Sequence, residues 1–166
     1  SGVEAKDCIF RINRDTRFST NKTPYKNNMG AFIAAGGRKS PFAGYYVHLQ
    51  PGECFLSGGI YMPQPDVLKT LRTEIHEKAG EFLQILNKPE FKTQFGYLWG
   101  DKLQSAPKGF PRDFEHIDLL KFKHYAVVHT VSDADVCNTS FLDKASSVFK
   151  TLHPFNQFLN QAVLNS

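Results

Sequence analysis

The feature that most constrains this chain is a hairpin signal in its first half. Gly44 to Gln50 and Glu53 to Met62 are two strand-like runs rich in aromatic and apolar residues, and only Pro51-Gly52 separates them. That pair suits the centre of a type I or II turn. Closing the chain there puts Val47 opposite Leu56 and Leu49 opposite Cys54, with Tyr45 on the same side. Successive strand residues point to opposite faces, so Tyr46, His48, Phe55, Ser57 and Tyr61 go to the other side. Gly58-Gly59 within the second strand predicts a bulge or a close backbone approach.

The rest of the chain is read outward from this hairpin. Residues 7–14 alternate, with Cys8, Phe10 and Ile12 against Ile9, Arg11 and Asn13, which predicts a strand with one buried face. Gly30 to Gly37 reads as a short strand ending in a glycine turn, and His124 to Val131 as the last strand. After Pro63 the apolar spacing becomes helical. Leu68, Leu71, Ile75, Phe82 and Leu86 form one stripe of a helix over 63–86, with a break expected at Gly80. A short helix follows Pro89 and is closed by Gly96, and another spans 113–121. Ser132 and Asp135 have capping-box spacing. Residues 139–164 read as one amphipathic helix or as two divided at His153-Pro154. Trp99 and the Phe residues of that last helix are assigned to the core. Strands first and helices afterwards imply an α+β fold. The expected architecture is an antiparallel sheet of about four to five strands with helices packed mainly on one face, those of 64–86 and 140–164 on the Val47/Leu49/Leu56 side.

Composition supports a folded domain. The chain has 166 residues, 41% of them hydrophobic, including 15 Phe. That is enough for one domain with a core of its own and excludes disorder. No apolar run approaches the ~18 residues that span a bilayer, so no membrane partner is expected. Three cysteines (Cys8, Cys54, Cys137) without a CxxC pair fit a reducing cytoplasm better than a disulfide framework. The net charge of +4 is unevenly spread: residues 1–40 hold 8 Lys and Arg against 3 Asp and Glu. A local excess of this kind points to an anionic partner.

Several motifs act together. They are Arg14-Asp15-Thr16-Arg17-Phe18-Ser19 running on to Lys22-Thr23-Pro24-Tyr25-Lys26, then Gly44-Tyr45-Tyr46-Val47-His48-Leu49, then Gly58-Gly59-Ile60-Tyr61-Met62-Pro63. Lys108-Gly109-Phe110-Pro111 and Asp118-Leu119-Leu120-Lys121 add to them. In these the chain resembles, over nearly its whole length, the uncharacterised and mainly bacterial family catalogued as domain of unknown function 2461. The resemblance carries no established activity. It implies a further helical segment in front of the first strand, and without it the chain is expected to expose an apolar patch. Family members tend to place Asp before the proline that opens the long helix, where this chain has Gln64.

The candidate site is the cationic stretch Arg11–Asn28 together with the polar face of the hairpin. Arg forks match carboxylate and phosphate oxygens, and Lys adds point charge. Arg11, Arg14, Arg17, Lys22 and Lys26 are the candidate anion ligands. Tyr46 and His48 are the candidate face residues, with a ligand ring stacking on Tyr46 or Tyr25. The structural alternative is that Asp15 pairs with an Arg and the remaining cations are solvated. His48 with Asp15 is the local acid/base pair available to an enzyme, but no catalytic residue is assigned. Neither HExxH, CxxC, GxSxG, a Walker loop nor GxGxxG occurs, so no metal and no cofactor is implied. The expected partner is an anionic small molecule or nucleotide. Nucleic acid is a weaker candidate because one patch on a +4 chain is a small footprint. A protein-interaction module is the remaining alternative, and the oligomeric state is open.

Overall fold

The computed structural model describes residues 2–14, 17, 20 and 22–165. The hairpin forms as its turn chemistry demands. Gly52 takes a φ of 79°, and the Glu53 amide donates to the Gln50 carbonyl at 2.8 Å, which is a type II turn. Its strands, β2 (Gly44–Leu49) and β3 (Phe55–Ile60), pair with Val47 opposite Leu56. With β1 (Met29–Ile33) and β4 (Tyr125–Thr130) they make one antiparallel sheet in the order β1-β2-β3-β4. Every neighbour in the sheet is also a neighbour in sequence order, the simplest meander for an α+β chain.

One face of this sheet is covered by helices. The longest, α7 (Phe141–Leu164), runs unbroken through Pro154, so the one-helix reading holds. Leu152, Phe155 and Leu159 on its stripe are fully buried, and that burial offsets the hydrogen bond a mid-helix proline removes. The helix lies very close to β3: a Cβ on Gly58 would stand 2.2 Å from Leu152 Cδ2, so only glycine permits the approach. Asn156 and Asn160 tie it to the start of β2. Asn156 Nδ2 donates to the Gly44 carbonyl at 3.0 Å, and the Ala43 amide donates to Asn160 Oδ1 at 2.7 Å.

Helices α2 (Pro65–Glu77) and α3 (Ala79–Leu86) pack chiefly on α7. The break between them falls at Lys78 (φ −122°, ψ 39°) and not at Gly80. Phe82 of α3 stacks against Phe158 and Phe155 of α7 and meets Tyr125 of β4 edge-on. α4 (Pro89–Phe95) is closed by Gly96 at φ 67°. The helix expected over 113–121 is a single turn, α5 (Ile117–Leu120), and α6 (Asp133–Val136) carries both hydrogen bonds of the Ser132/Asp135 capping box.

The expected strand over 7–14 is corrected. Its start is a helical turn, α1 (Ala5–Cys8), and the extended chain beyond makes, among the described residues, isolated bridges of Ile9 with Ala31 and of Asn13 with Tyr25. The buried face is absent too: Phe10 is 38% and Ile12 46% exposed, leaving Cys8 as the buried member. The helical layer does not reach this edge, as the exposure of Met29 and Ile33 on β1 also shows. An alternating strand cannot sort its faces without a layer to bury one of them.

Candidate ligand-binding site

The face of the sheet away from the helices is the floor of a cavity of about 760 Å³. Strand register sets its rows. Gly30, His48 and Phe55 stand side by side across β1, β2 and β3, and Phe32, Tyr46, Ser57 and Val128 form the next row across all four strands. Beyond them lie Gly59 and Ala126, which leave the floor low. A Cβ on Gly59 would come 2.1 Å from the Tyr125 carbonyl oxygen, so β4's close approach keeps this position bare.

Tyr46 and His48 form a fixed pair in mid-floor. The Tyr46 hydroxyl lies 2.9 Å from His48 Nδ1, and the direction of the proton follows the imidazole tautomer. The His48 ring stacks on Phe55 at 4.6 Å and 13°. Gly30 makes room for the phenol, since a Cβ there would be 2.7 Å from its oxygen. Burial pushes the Tyr46 phenol above its ordinary value, which keeps it a neutral hydroxyl.

Two walls rise from the floor, on segments bridged to the edge strands and, for Tyr61, from the end of β3. On the β1 side Phe10, Arg11, Lys26 and Asn28 border the cavity. The Phe10 amide donates to the Gly30 carbonyl at 3.0 Å, and the Lys26 amide to the Ile12 carbonyl at 2.8 Å, so both arms of the cationic stretch are held at their base. On the β4 side the wall is Tyr61 and Trp99. The Trp99 amide donates to the Ala126 carbonyl at 2.8 Å. His124 backs this wall, its ring 5.0 Å from Tyr61 and 5.4 Å from Trp99, and its burial pushes its pKa below the ordinary histidine value. Gly100 closes on it from behind: a Cβ there would be 2.0 Å from His124 Nε2.

The electrostatics are one-sided. Arg11, Lys26 and Arg38 line the cavity and, among the described residues, no aspartate or glutamate does. Arg38 is partly committed, donating to the Lys6 carbonyl at 2.9 Å. The remaining surface is largely aromatic, with Phe10, Phe32, Phe42, Tyr46, Phe55, Tyr61 and Trp99.

The family model for conserved hypothetical protein (DUF2461) matches residues 1–158. The chain belongs to this family. No curated protein and no solved structure matches it. Membership is in a family of unknown function.

Of the residues expected from sequence, Arg11, Lys26, Tyr46 and His48 are brought together around the cavity. Arg14 is not among them. It shares a separate, shallower hollow with Lys26, Asn27 and Asn28. Arg17 and Lys22 are exposed and border neither space, and Tyr25, 59% exposed, borders neither as well. Asp15, the suggested partner of His48, lies outside the described residues. His129 is engaged elsewhere, its Nδ1 2.8 Å from the Gln94 carbonyl. Cys54 is buried, with its thiol donating to the Gln50 carbonyl at 3.1 Å, in keeping with a packing role.

Trp99 is the main correction. The sequence reading places it in the core, yet it is 50% exposed and forms a wall. The signal available in the sequence was its setting, an irregular stretch with no apolar period that would bury it, followed at once by Gly100. Arg38 and Phe42 were missed for a related reason: they lie in a connector and carry no periodic signal. No described helix is long and apolar enough to cross a membrane.

Proposed function

We propose that this protein binds an anionic small molecule in the cavity on the open face of its sheet. The observation that carries this reading is the lining: three cations, no described carboxylate, and an aromatic surface. A space of about 760 Å³ falls within the range of small-molecule sites. Arg11 and Lys26 border the cavity from its β1 side, where their charge can meet a ligand. Their backbones are held by Phe10–Gly30 and Lys26–Ile12 hydrogen bonds, which lowers the ordering cost on binding. Arg14, at the neighbouring hollow, acts at the rim.

A nucleic-acid role is less well supported, because these cations converge on a concave site and do not run along an exposed stripe. An enzyme would use His48, held by Tyr46, as its acid or base. The three cysteines are unpaired, which favours the cytoplasm as the setting.

Thermal-shift and calorimetric titration with phosphate, nucleotides and dicarboxylates tests the proposal. A charge-assisted hydrogen bond contributes about 1.5–3 kcal/mol, so Arg11→Ala should weaken binding roughly 10- to 100-fold, and Arg14→Ala should weaken it less. Equal responses of the parent and Arg11→Ala, or no response to any anion, would overturn it.

A further inference from the structure

The two walls of the cavity differ in kind, and the difference bears on the shape of the ligand. The β1 wall offers Arg11 and Lys26. The β4 wall offers Tyr61 and Trp99, which are 62% and 50% exposed. Large aromatic surface left in water is costly unless something covers it. These two rings are also held still. They lie 6.2 Å apart at 38°, both rest on buried His124, and the Trp99 backbone is pinned to Ala126. A rigid, half-exposed aromatic pair facing a cavity is a stacking platform whose ordering cost has already been met by folding.

The walls stand on opposite edges of the sheet. One segment bridges to Ala31 of β1 and the other to Ala126 of β4. Trp99 and the Arg11 segment therefore flank the sheet at its two edges, while Tyr61 leans in from the end of β3. Arg11, Lys26, Tyr61 and Trp99 nonetheless border one cavity of about 760 Å³, so a single small molecule can meet both walls.

We infer that the ligand is bipolar, with a phosphate or carboxylate held at Arg11 and Lys26 and a planar aromatic ring stacked at Trp99 and Tyr61. This rests on the cavity being an anion site, and it adds the ring and its place. Between the two ends, the Tyr46–His48 pair supplies polar groups that a linking sugar or chain would meet, and Ser57, whose hydroxyl donates to the Val127 carbonyl at 2.7 Å, can only accept from it.

Trp99 is the only tryptophan of the chain, so its fluorescence reports on the platform directly. The probes are adenosine monophosphate and 1-naphthoate as ring-bearing anions, inorganic phosphate as the anion alone, and adenosine as the ring alone. At least one ring-bearing anion should quench Trp99 saturably and bind more tightly than phosphate and adenosine do, and which of the two binds identifies the head group. Base–aromatic stacking is worth about 1–3 kcal/mol, so Trp99→Ala should weaken that probe by roughly tenfold or more in calorimetry. It should leave the thermal shift from phosphate unchanged, whereas Arg11→Ala should weaken both. Tyr61→Ala, at a more exposed ring, is the second variant should Trp99→Ala fold poorly. If ring-bearing anions bind no better than phosphate, or bind equally well to both aromatic variants, the bipolar ligand is wrong while an Arg11-dependent anion site stands. If no probe binds in an Arg11-dependent way, both readings fall.

Discussion

On the helix-covered face of the sheet, Leu56 and Val127 are wholly buried and Val47 packs beside them, under α7. One residue along the same strands, Tyr46, His48, Phe55 and Ser57 are only half-buried and border open space. The covered face is filled to contact, to the point that glycine is required at residue 58. The open face has rings with polar tips, bare backbone at Gly59, and cations at its edge. Contact everywhere is what stability asks of a surface. Room with fixed polar groups is what recognition asks. The contrast therefore separates the residues that keep this protein folded from those that give it something to do.

The sharpest way to break that contrast is to cut each face in turn. Leu56→Ala should cost about 2–5 kcal/mol in urea denaturation, through lost burial and the cavity left behind, with little change in ligand response per folded molecule. Ser57→Ala, one residue on, should cost far less. Equal losses would mean the two faces are not different in kind.

A smaller effect is expected where the helix meets β3. Gly58→Ala places a methyl against Leu152 and the Gly44 carbonyl, and overpacking of this sort costs about 1–3 kcal/mol. Leu152→Ala removes the side-chain half of that clash, so the double variant should be more stable than the sum of the two single losses predicts. Simple additivity would show that the close approach is not what sets residue 58.

The smallest effect lies behind the open face and depends on pH. His124 has its folded pKa below the ordinary value near 6.5 because it is buried. The unfolded chain then takes up the proton first. His124 stabilises fully above about pH 6.5, and that contribution is lost as pH falls below it. Denaturation midpoints of the parent should drop between pH 7 and 5 more steeply than those of His124→Asn. Parallel curves would show that the wall behind Trp99 is not acid-sensitive.

How much of this was legible in the sequence depended on how local the determinant was. The hairpin register followed from Pro51-Gly52 and a two-residue period, so Tyr46 and His48 could be assigned to the open face. The same period misled at residues 7–14, because burial of one face depends on a second layer and the helices stop short of that edge. Arg11 still reached the cavity, though from a bridged segment and not through strand alternation. Trp99 owes its place to pairing with Ala126, a contact across the sequence that no local pattern encodes. The break at Lys78 in place of Gly80 is of the same kind, as both arms of that bend pack on α7.

The alternation of the two faces also has an evolutionary consequence. Insertion of one residue in β2 or β3 would exchange the cavity set for the core set, placing Tyr46 and His48 beneath α7 and Val47 in the cavity. Length change in the floor is therefore closed to a lineage that must remain folded. The segments that carry Arg11 and Trp99 have no such penalty, since each is joined to the sheet by isolated bridges and lies in a long connection, residues 11–28 on one side and 97–112 on the other. In this chain those two connections can change length without moving a strand residue from one face to the other.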